Sequence, residues 1–574
     1  MFKCKQLLRR ICVVSYVFLL CGGLVNASNL VSKTNTLIGT QGNGWASGYL
    51  YPGATYPFGM VQFTPTYFTK QLGFVINQLS GAGCDHMGNF PTLPIAGALR
   101  VSPDSILNMQ TPVGKEIGTA GYYAATVDHS IRAELTVTER TGMARYTFSS
   151  KEKQGTVIIG GGVAATSIQV AAIKITGPHS CEGYAEGGAF CGIPTPYKVY
   201  FVAEFDADAE SFGTWKEERL HANHTFAEGS HSGVYFTFPL KEGNQAVQYK
   251  IGVSYVSVEN ARENLRVENP AWDFSAVRQA TQDKWNEYLG KIEVEGDNED
   301  RQMQFYTHLY RSLIHPNVCS DVNGEYMGAD SQVHKTARKF YTSFSNWDTY
   351  RTQTALIAML APEETSDIVM SHYLFAEQSG GGFPRWVLAN IETGVMQGDP
   401  TPILVANAYA FGARNYDPRT LLRTMRYGAE VPGANSQGVL TRPGLEQYLE
   451  KGYYDASILL EYTSSDFAIG RFALQACNDE PVCNWYTQRA MNWKNLFNKE
   501  TGWLQSRNED GSWKRYDADW RESTYKNYFW MVPYDLQGLI DSIGGKEAAE
   551  KRLDEMFRRL DASYGCLLYT SPSP

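Results

Sequence analysis

Basic charge is what this chain is short of. Lys and Arg number 51 against 60 Asp and Glu, a net charge of −9 over 574 residues. Nucleic-acid binders need basic stripes, so nucleic acid is excluded as a partner. Cysteine is scarce too: ten are present, three of them (Cys4, Cys12 and Cys21) within the first 27 residues. Neither a Cys-x-x-Cys pair nor a His-x-x-x-His helix points to zinc. No Gly-x-Ser-x-Gly elbow supports an acyl hydrolase, and the Gly160–Gly162 run lacks the Lys-Ser/Thr of a phosphate loop. Past the N-terminus no apolar run is long enough to span a bilayer.

What is present is an ordinary globular balance, 43% hydrophobic and 19% charged, which excludes disorder. At this length it implies two domains or one very large one. Aromatics reach 13%, with 35 Tyr and 12 Trp, an excess that suits carbohydrate binding. Lys3, Lys5, Arg9 and Arg10 precede the apolar run 11–25, and Val25-Asn26-Ala27 ends it. That is the pattern of a secretory signal over residues 1–27, predicting a secreted or periplasmic protein with no transmembrane segment after cleavage. Cys21 offers lipid anchoring as the alternative, although Leu19-Leu20 before it lacks the small residue a lipoprotein signal uses. In an exported chain Cys181/Cys191 and Cys477/Cys483 are each spaced to close a short disulfide loop, with buried free thiols the competing expectation; Cys84 and Cys319 have no evident partner.

Residues to about 270 read as strands. Ile131, Ala133, Leu135 and Val137 alternate with Arg132, Glu134, Thr136 and Thr138, and the same period recurs over 198–205 and 249–255. Such alternation between turn clusters predicts an antiparallel sandwich. The period then lengthens. Met303, Tyr306, Tyr310 and Leu313 follow helical spacing up to Pro316, and further helices are predicted near 352–360, 420–429, 458–475, 486–497 and 546–560. Helices in series joined by long Gly-, Trp- and Asp-rich loops predict a helical toroid with a cleft at the loop ends. The predicted organisation is a signal (1–27), a β-sandwich (28–270), linker helices (271–316), an incomplete (α/α)6-type barrel (317–566) and a Ser/Pro tail (567–574) that looks foreign to it.

Two stretches concentrate chemistry: 341–351, ending Asn346-Trp347-Asp348-Thr349-Tyr350-Arg351, and 380–399, which carries Glu392 and Asp399 among glycines. Indole faces bind C–H-rich sugar rings while carboxylates and guanidinium groups take hydroxyls; the competing reading is an aromatic-capped turn between core helices. Glycoside hydrolysis needs two carboxyl groups, one held protonated near neutral pH. Acids set among aromatics are the candidates: Asp348, Glu392, Asp399, Glu461, Asp466, Glu522 and Asp535. Glu461 and Asp466 read as buried hydrogen-bonding acids. Glu522 precedes an apolar run, so helix capping with a salt bridge to Arg521 or Lys526 competes with catalysis. His86, in the Gly-rich loop 80–89, reads as a solvated loop histidine that is within reach of the cleft.

Several segments, taken in order, resemble the bacterial calcium-dependent α-mannosidases of glycoside hydrolase family 92. They include 52–62, 79–84, 305–317, 344–351, 381–399, 460–466, 495–502 and 532–535, so the resemblance covers roughly residues 35 to 560. It implies a β-sandwich, a linker helix and an (α/α)6 barrel sharing one active site. It also implies exo-acting, inverting removal of terminal α-mannose from glycans, most typically α-1,2 linked. The family motif Glu-Gly-Asn-Ala-Trp-Gln-Tyr falls on Glu522-Ser523-Thr524-Tyr525-Lys526-Asn527-Tyr528, which gives Glu522 the general-acid role. Asn346, Trp347, Asp348 and Arg351 take substrate-binding roles, and Glu392 and Asp399 match a second such loop. The replaced Gly, Asn and Trp of the first motif alter the leaving-group side.

The same resemblance implies a general-base Asp in a Gly-Asn-Asp-type segment past the Val-Pro-x-Asp motif, with calcium contacts on the way to it. Nothing in this sequence corresponds, so the chain is expected to lack the base and most calcium ligands and to release no mannose. Two other readings remain: a sandwich-plus-toroid hydrolase or phosphorylase acting on α-glucosides, and an exported glycan-binding protein without activity.

Overall fold

The computed structural model describes residues 29–40, 49–65, 73–103, 113–128, 130–242 and 245–558. The expected signal peptide, Cys21 and the Ser/Pro tail lie outside the described residues. An antiparallel β-sandwich comes first and a helical domain follows it, the α+β order that the periodicity predicts.

The sandwich pairs an eight-stranded with a nine-stranded sheet. Its strands form where the sequence alternates: over Ile131–Val137 the apolar residues are buried and Arg132 and Glu134 are half-exposed. Tyr123, Tyr146, Phe201, Tyr249 and Ile251 have no accessible surface between the sheets. Each such side chain contributes roughly 1.5–3 kcal/mol by leaving water. The strands stop at Ser254 rather than near 270, because Ser257 caps a helix over Val258–Glu268 that packs on the outer face of the sheet.

Two further helices, Phe274–Leu289 and Glu299–Ser312, lie against the N-terminal segment. Trp285, fully buried, donates its indole N–H to the Thr55 carbonyl at 2.7 Å. Arg311 clamps the Tyr51 and Thr36 carbonyls at 2.8 and 2.7 Å. Beyond them the helical domain is built around Ala456–Cys477, buried along most of its length against Thr401–Ala410, Pro418–Glu430 and Glu480–Ala490. The apolar run over 528–539 is not one helix: Pro533 breaks it into a turn at Tyr525–Tyr528 and a helix at Leu536–Ser542.

The Gly-rich loop 80–89 exposes Gly81, Gly83 and Asp85 but turns His86 inward, which corrects the reading of His86 as solvated. The His86 ring is inaccessible; its Nε2 accepts from the Leu79 N–H at 2.8 Å, and its Nδ1 lies 2.7 Å from the Cys84 carbonyl. That pairing fixes a neutral ring, and burial pushes its pKa down to about 4. His315 latches the same loop from the helical side, accepting from the Ser80 N–H at 2.9 Å.

Neither short cysteine loop forms. Cys84, in the Gly-rich loop, bonds to Cys191 at the turn between two long strands, with Cα atoms 5.2 Å apart across 107 residues of sequence. Cys181, Cys319, Cys477 and Cys483 are buried thiols. Cys181 alternates into the sandwich core and Cys191 lies at the hairpin tip, so the pair closest in sequence faces different surroundings. Peptide mapping without reduction is therefore expected to give, among the cysteines of the described residues, one linked pair, Cys84 with Cys191. Cys84→Ser is expected to lower unfolding free energy by about 2–4 kcal/mol in denaturant titrations.

Candidate active site

Glu461 sits in the long central helix with no accessible surface. Trp347, on the single helical turn Asn346–Thr349, donates its indole N–H to Glu461 Oε1 at 2.8 Å. The Tyr350 hydroxyl donates to Oε2 at 3.3 Å, and Arg351 Nη2 stands 3.6 Å from Oε1. The Arg351 guanidinium lies over the Trp347 and Tyr350 rings, 5.1 and 4.8 Å from their centroids, a cation–π arrangement that fixes a long side chain whose far end reaches solvent. Burial pushes the Glu461 carboxyl up to about 7, against the lowering by Arg351 and the two hydrogen bonds. Gly398 closes over this acid in the left-handed region (φ 77°), and a Cβ there would come within 2.5 Å of the Glu461 Cβ.

Asp348, on the same turn as Trp347, accepts from the Ser345 hydroxyl and from the Trp386 indole. Burial raises its carboxyl and the Arg351 charge opposes that. The Trp386 ring stacks on Phe190 of the sandwich, centroids 4.2 Å apart, one residue from the disulfide-bonded Cys191. The sandwich hairpin thus reaches the wall of this site through two rings.

Glu522 faces Asp348 from the other end of the chain. It lies in a bend with φ 51°, not on a helix: Thr524 is the residue at the N-cap of the turn that follows. Among the described residues its carboxyl makes no ion pair or side-chain hydrogen bond, so the expected salt bridge to Arg521 or Lys526 is not formed. Its pKa is raised, first by desolvation and then by the Asp348 charge, against Arg521. Tyr528 holds the bend: its hydroxyl donates to the Arg521 carbonyl at 3.1 Å and accepts from Gln397 Nε2 at 3.2 Å, and Gln397 Oε1 accepts from Ser457. Burial and then the charges of Glu461 and, more weakly, Glu522 raise the Tyr528 phenol, so this ring is near both acids.

The remaining candidates are engaged elsewhere. Glu392 is buried and accepts the backbone N–H groups of Arg385, Trp386 and Gly394 at 2.7, 3.2 and 2.9 Å, shaping its loop from within. Asn346 spends its amide on the Pro384 carbonyl and Thr401 and accepts from His372. Asp399 pairs with Arg442 at 2.8 Å, and Arg442 with Asp466 at 2.7 Å; Asp466 also binds Arg489 and Tyr448. Asp535 caps the helix from Leu536 and accepts from Trp493. The crevice beside Glu392 and Asp399 leaves essentially no room for a ligand. The open face of the site is where Arg351 and Glu522 reach solvent.

Sequence reasoning singled out neither Tyr528, Gln397, Trp386 nor Phe190. Tyr528 closes the motif that begins at Glu522, and that seven-residue spacing was its one signal; Phe190 had none, because its contact is made across domains. For calcium, no group of three or more His, Cys, Asp or Glu that could hold a metal exists among the described residues. Their donor set does not fit the ion, and no step is derived through it.

A model described as the glycosyl hydrolase family 92 N-terminal domain matches residues 34–254, and one described as its catalytic domain matches residues 260–569. A curated relative from Arthroderma benhamiae, described as an uncharacterized secreted glycosidase, is 25% identical over 92% of this chain and 74% of its own. Among solved structures, a family GH92 α-mannosidase of Bacteroides thetaiotaomicron matches with a TM-score of 0.84 and 25% identity, over 93% of this chain and 75% of that one. An inverting mannosidase of the same family and species matches with a TM-score of 0.83 and 25% identity, over 94% and 77%. The chain spans about three quarters of these relatives' length. Both domain models, in tandem and in the right order, place the chain in glycosyl hydrolase family 92.

Proposed function

We propose that this glycosidase removes terminal α-linked mannose, with α-1,2 linkages its main substrates, by an inverting mechanism in which Glu522 is the general acid. The observation that carries the reading is the environment of Glu522. It is a carboxyl on an open face, raised above the ordinary carboxyl range first by desolvation and then by the charge of Asp348, the direction a general acid needs. Two structural relatives described as mannosidases, one as inverting, support the substrate class and stereochemistry. Trp347 on the turn that carries Asp348, and Arg351 stacked over it, would offer a terminal sugar an indole and a guanidinium. The secreted relative supports export, and no helix among the described residues is long and apolar enough to cross a membrane.

In the proposed reaction Glu522 protonates the glycosidic oxygen as the bond to the anomeric carbon breaks. Water attacks the opposite face and passes its proton to a second carboxylate, about 6.5–9.5 Å from the first in inverting enzymes. Asp348 does not suit that role: it is bonded to Ser345 and Trp386, and its charge sustains the acid. Glu461 is sealed behind Trp347 and Tyr350. We therefore place the base, and the ligands of any calcium ion, outside the described residues.

Glu522→Gln is expected to cut turnover of α-1,2-mannobiose by about 10²–10⁴-fold while leaving α-mannosyl fluoride, whose leaving group needs no proton, nearly unchanged. Azide supplied as external nucleophile in both assays makes the comparison independent of the base. Equal loss on both substrates would remove Glu522 from the acid role. Turnover of α-glucosides instead of mannosides would favour the glucoside-acting reading, and binding without turnover of either substrate the glycan-binding one. Asp348→Asn removes the anion that raises Glu522, so the acid loses its proton at lower pH. The basic limb of kcat/KM on mannobiose is expected to move acid-ward, with no such movement on the fluoride.

A further inference from the structure

We propose, resting on the assignment of Glu522 just given, that Tyr516 and Trp520 form the binding platform for the sugar on the leaving-group side of the scissile bond. The acid protonates the bridging oxygen, so the sugar attached to that oxygen must lie against whatever flanks Glu522 away from Trp347. The segment running into Glu522 carries two rings open to solvent. Tyr516 is 49% exposed and Trp520 is half-buried.

Neither ring is loose. The Trp520 indole N–H donates to the Tyr516 carbonyl at 2.8 Å, and its ring leans on Tyr528 with centroids 5.3 Å apart. Tyr528 is the ring that senses the Glu522 charge. Tyr516 meets Tyr525 edge-to-face at 5.0 Å. The segment is tied down at both ends, by Lys514 to Asp455 and Asp519 at 2.8 and 2.9 Å and by Tyr528 to the Arg521 carbonyl. Two left-handed residues, Asp519 (φ 63°) and Glu522 (φ 51°), bracket Trp520. Non-glycine residues held there cost free energy that surrounding contacts must offset.

The chemistry narrows the occupant. With its N–H committed to a backbone carbonyl, Trp520 has only its face to offer, which suits the C–H face of a pyranose. At the rim of the segment Arg515 and Asp517 pair with one another.

Calorimetric titration of the full chain with methyl α-mannoside and with α-1,2-mannobiose tests the platform. The native chain is expected to bind the disaccharide more tightly. Trp520→Ala and Tyr516→Ala are each expected to erase about tenfold of that advantage without changing affinity for the monosaccharide, and Trp520→Phe to restore most of it. Unchanged monosaccharide affinity also shows that the variants fold. Equal native affinity for the two sugars, or variants that lose both ligands alike, would overturn the platform while leaving Glu522 as the acid. A native chain that binds neither sugar would overturn the mannosidase reading and the platform with it.

Discussion

Three groups that shape the cleft wall all lean on the Glu461 carboxylate: the Trp347 indole N–H, the Tyr350 hydroxyl and the Arg351 guanidinium. A carboxylate removed from water is costly unless its oxygens are satisfied, and here each oxygen has a donor. The dependence runs both ways. Without Glu461 the Trp347 N–H would be left buried and unpaired, a cost of about 1–3 kcal/mol, and Arg351 would lose the anion behind its ring stack. Gly398 shows how closely the surroundings are fitted, since no side chain can be added above the Glu461 stem. The same carboxylate therefore fixes the indole, the guanidinium and, through Asp348 on the adjoining residue, the field felt by Glu522.

Position in sequence does not explain how those groups come together; the packing of two lobes does. Asp348 is oriented by Trp386, Trp386 by Phe190, and Phe190 sits beside a disulfide that ties the hairpin to the Gly-rich loop. That loop is latched again by His86 within the sandwich and by His315 from the helical side. Both imidazoles are held neutral by burial, so they act as hydrogen-bond acceptors rather than as charges. A site on a helical scaffold thus takes part of its rigidity from a β-sandwich, which suits chemistry that needs groups held within a fraction of an ångström.

Legibility in the sequence followed the same physics. Strands such as Ile131–Val137 could be read because one face meets water and the period survives, and Pro418–Glu430 could be read because its apolar residues recur on one side. Thr401–Ala410 could not, being apolar nearly all round, and Pro362–Glu377 carries no clear stripe. The disulfide was illegible because closeness in sequence, as for Cys181 and Cys191, says nothing about facing when residues alternate across a strand. His86 was misread because glycines around it suggest solvent; Gly81 and Gly83 are indeed exposed, while the imidazole turns inward onto the Leu79 and Cys84 backbone. Among the seven acids set amid aromatics, only tertiary partners separate Asp466, between two arginines, from Glu522, which makes no ion pair among the described residues. Composition offered no way to rank them, and the motif at 522–528 stood out through resemblance alone.

The acids of the site are arranged as a graded series. Glu461 lies deepest and titrates near 7, Asp348 is intermediate and Glu522 is outermost. Arg351 faces both inner acids and opposes the raising of each by burial. The Glu522 carboxyl is raised first by desolvation and then by the Asp348 charge. One cation thus offsets burial at the two inner acids, while at the outermost acid burial and a neighbouring anion act in the same direction.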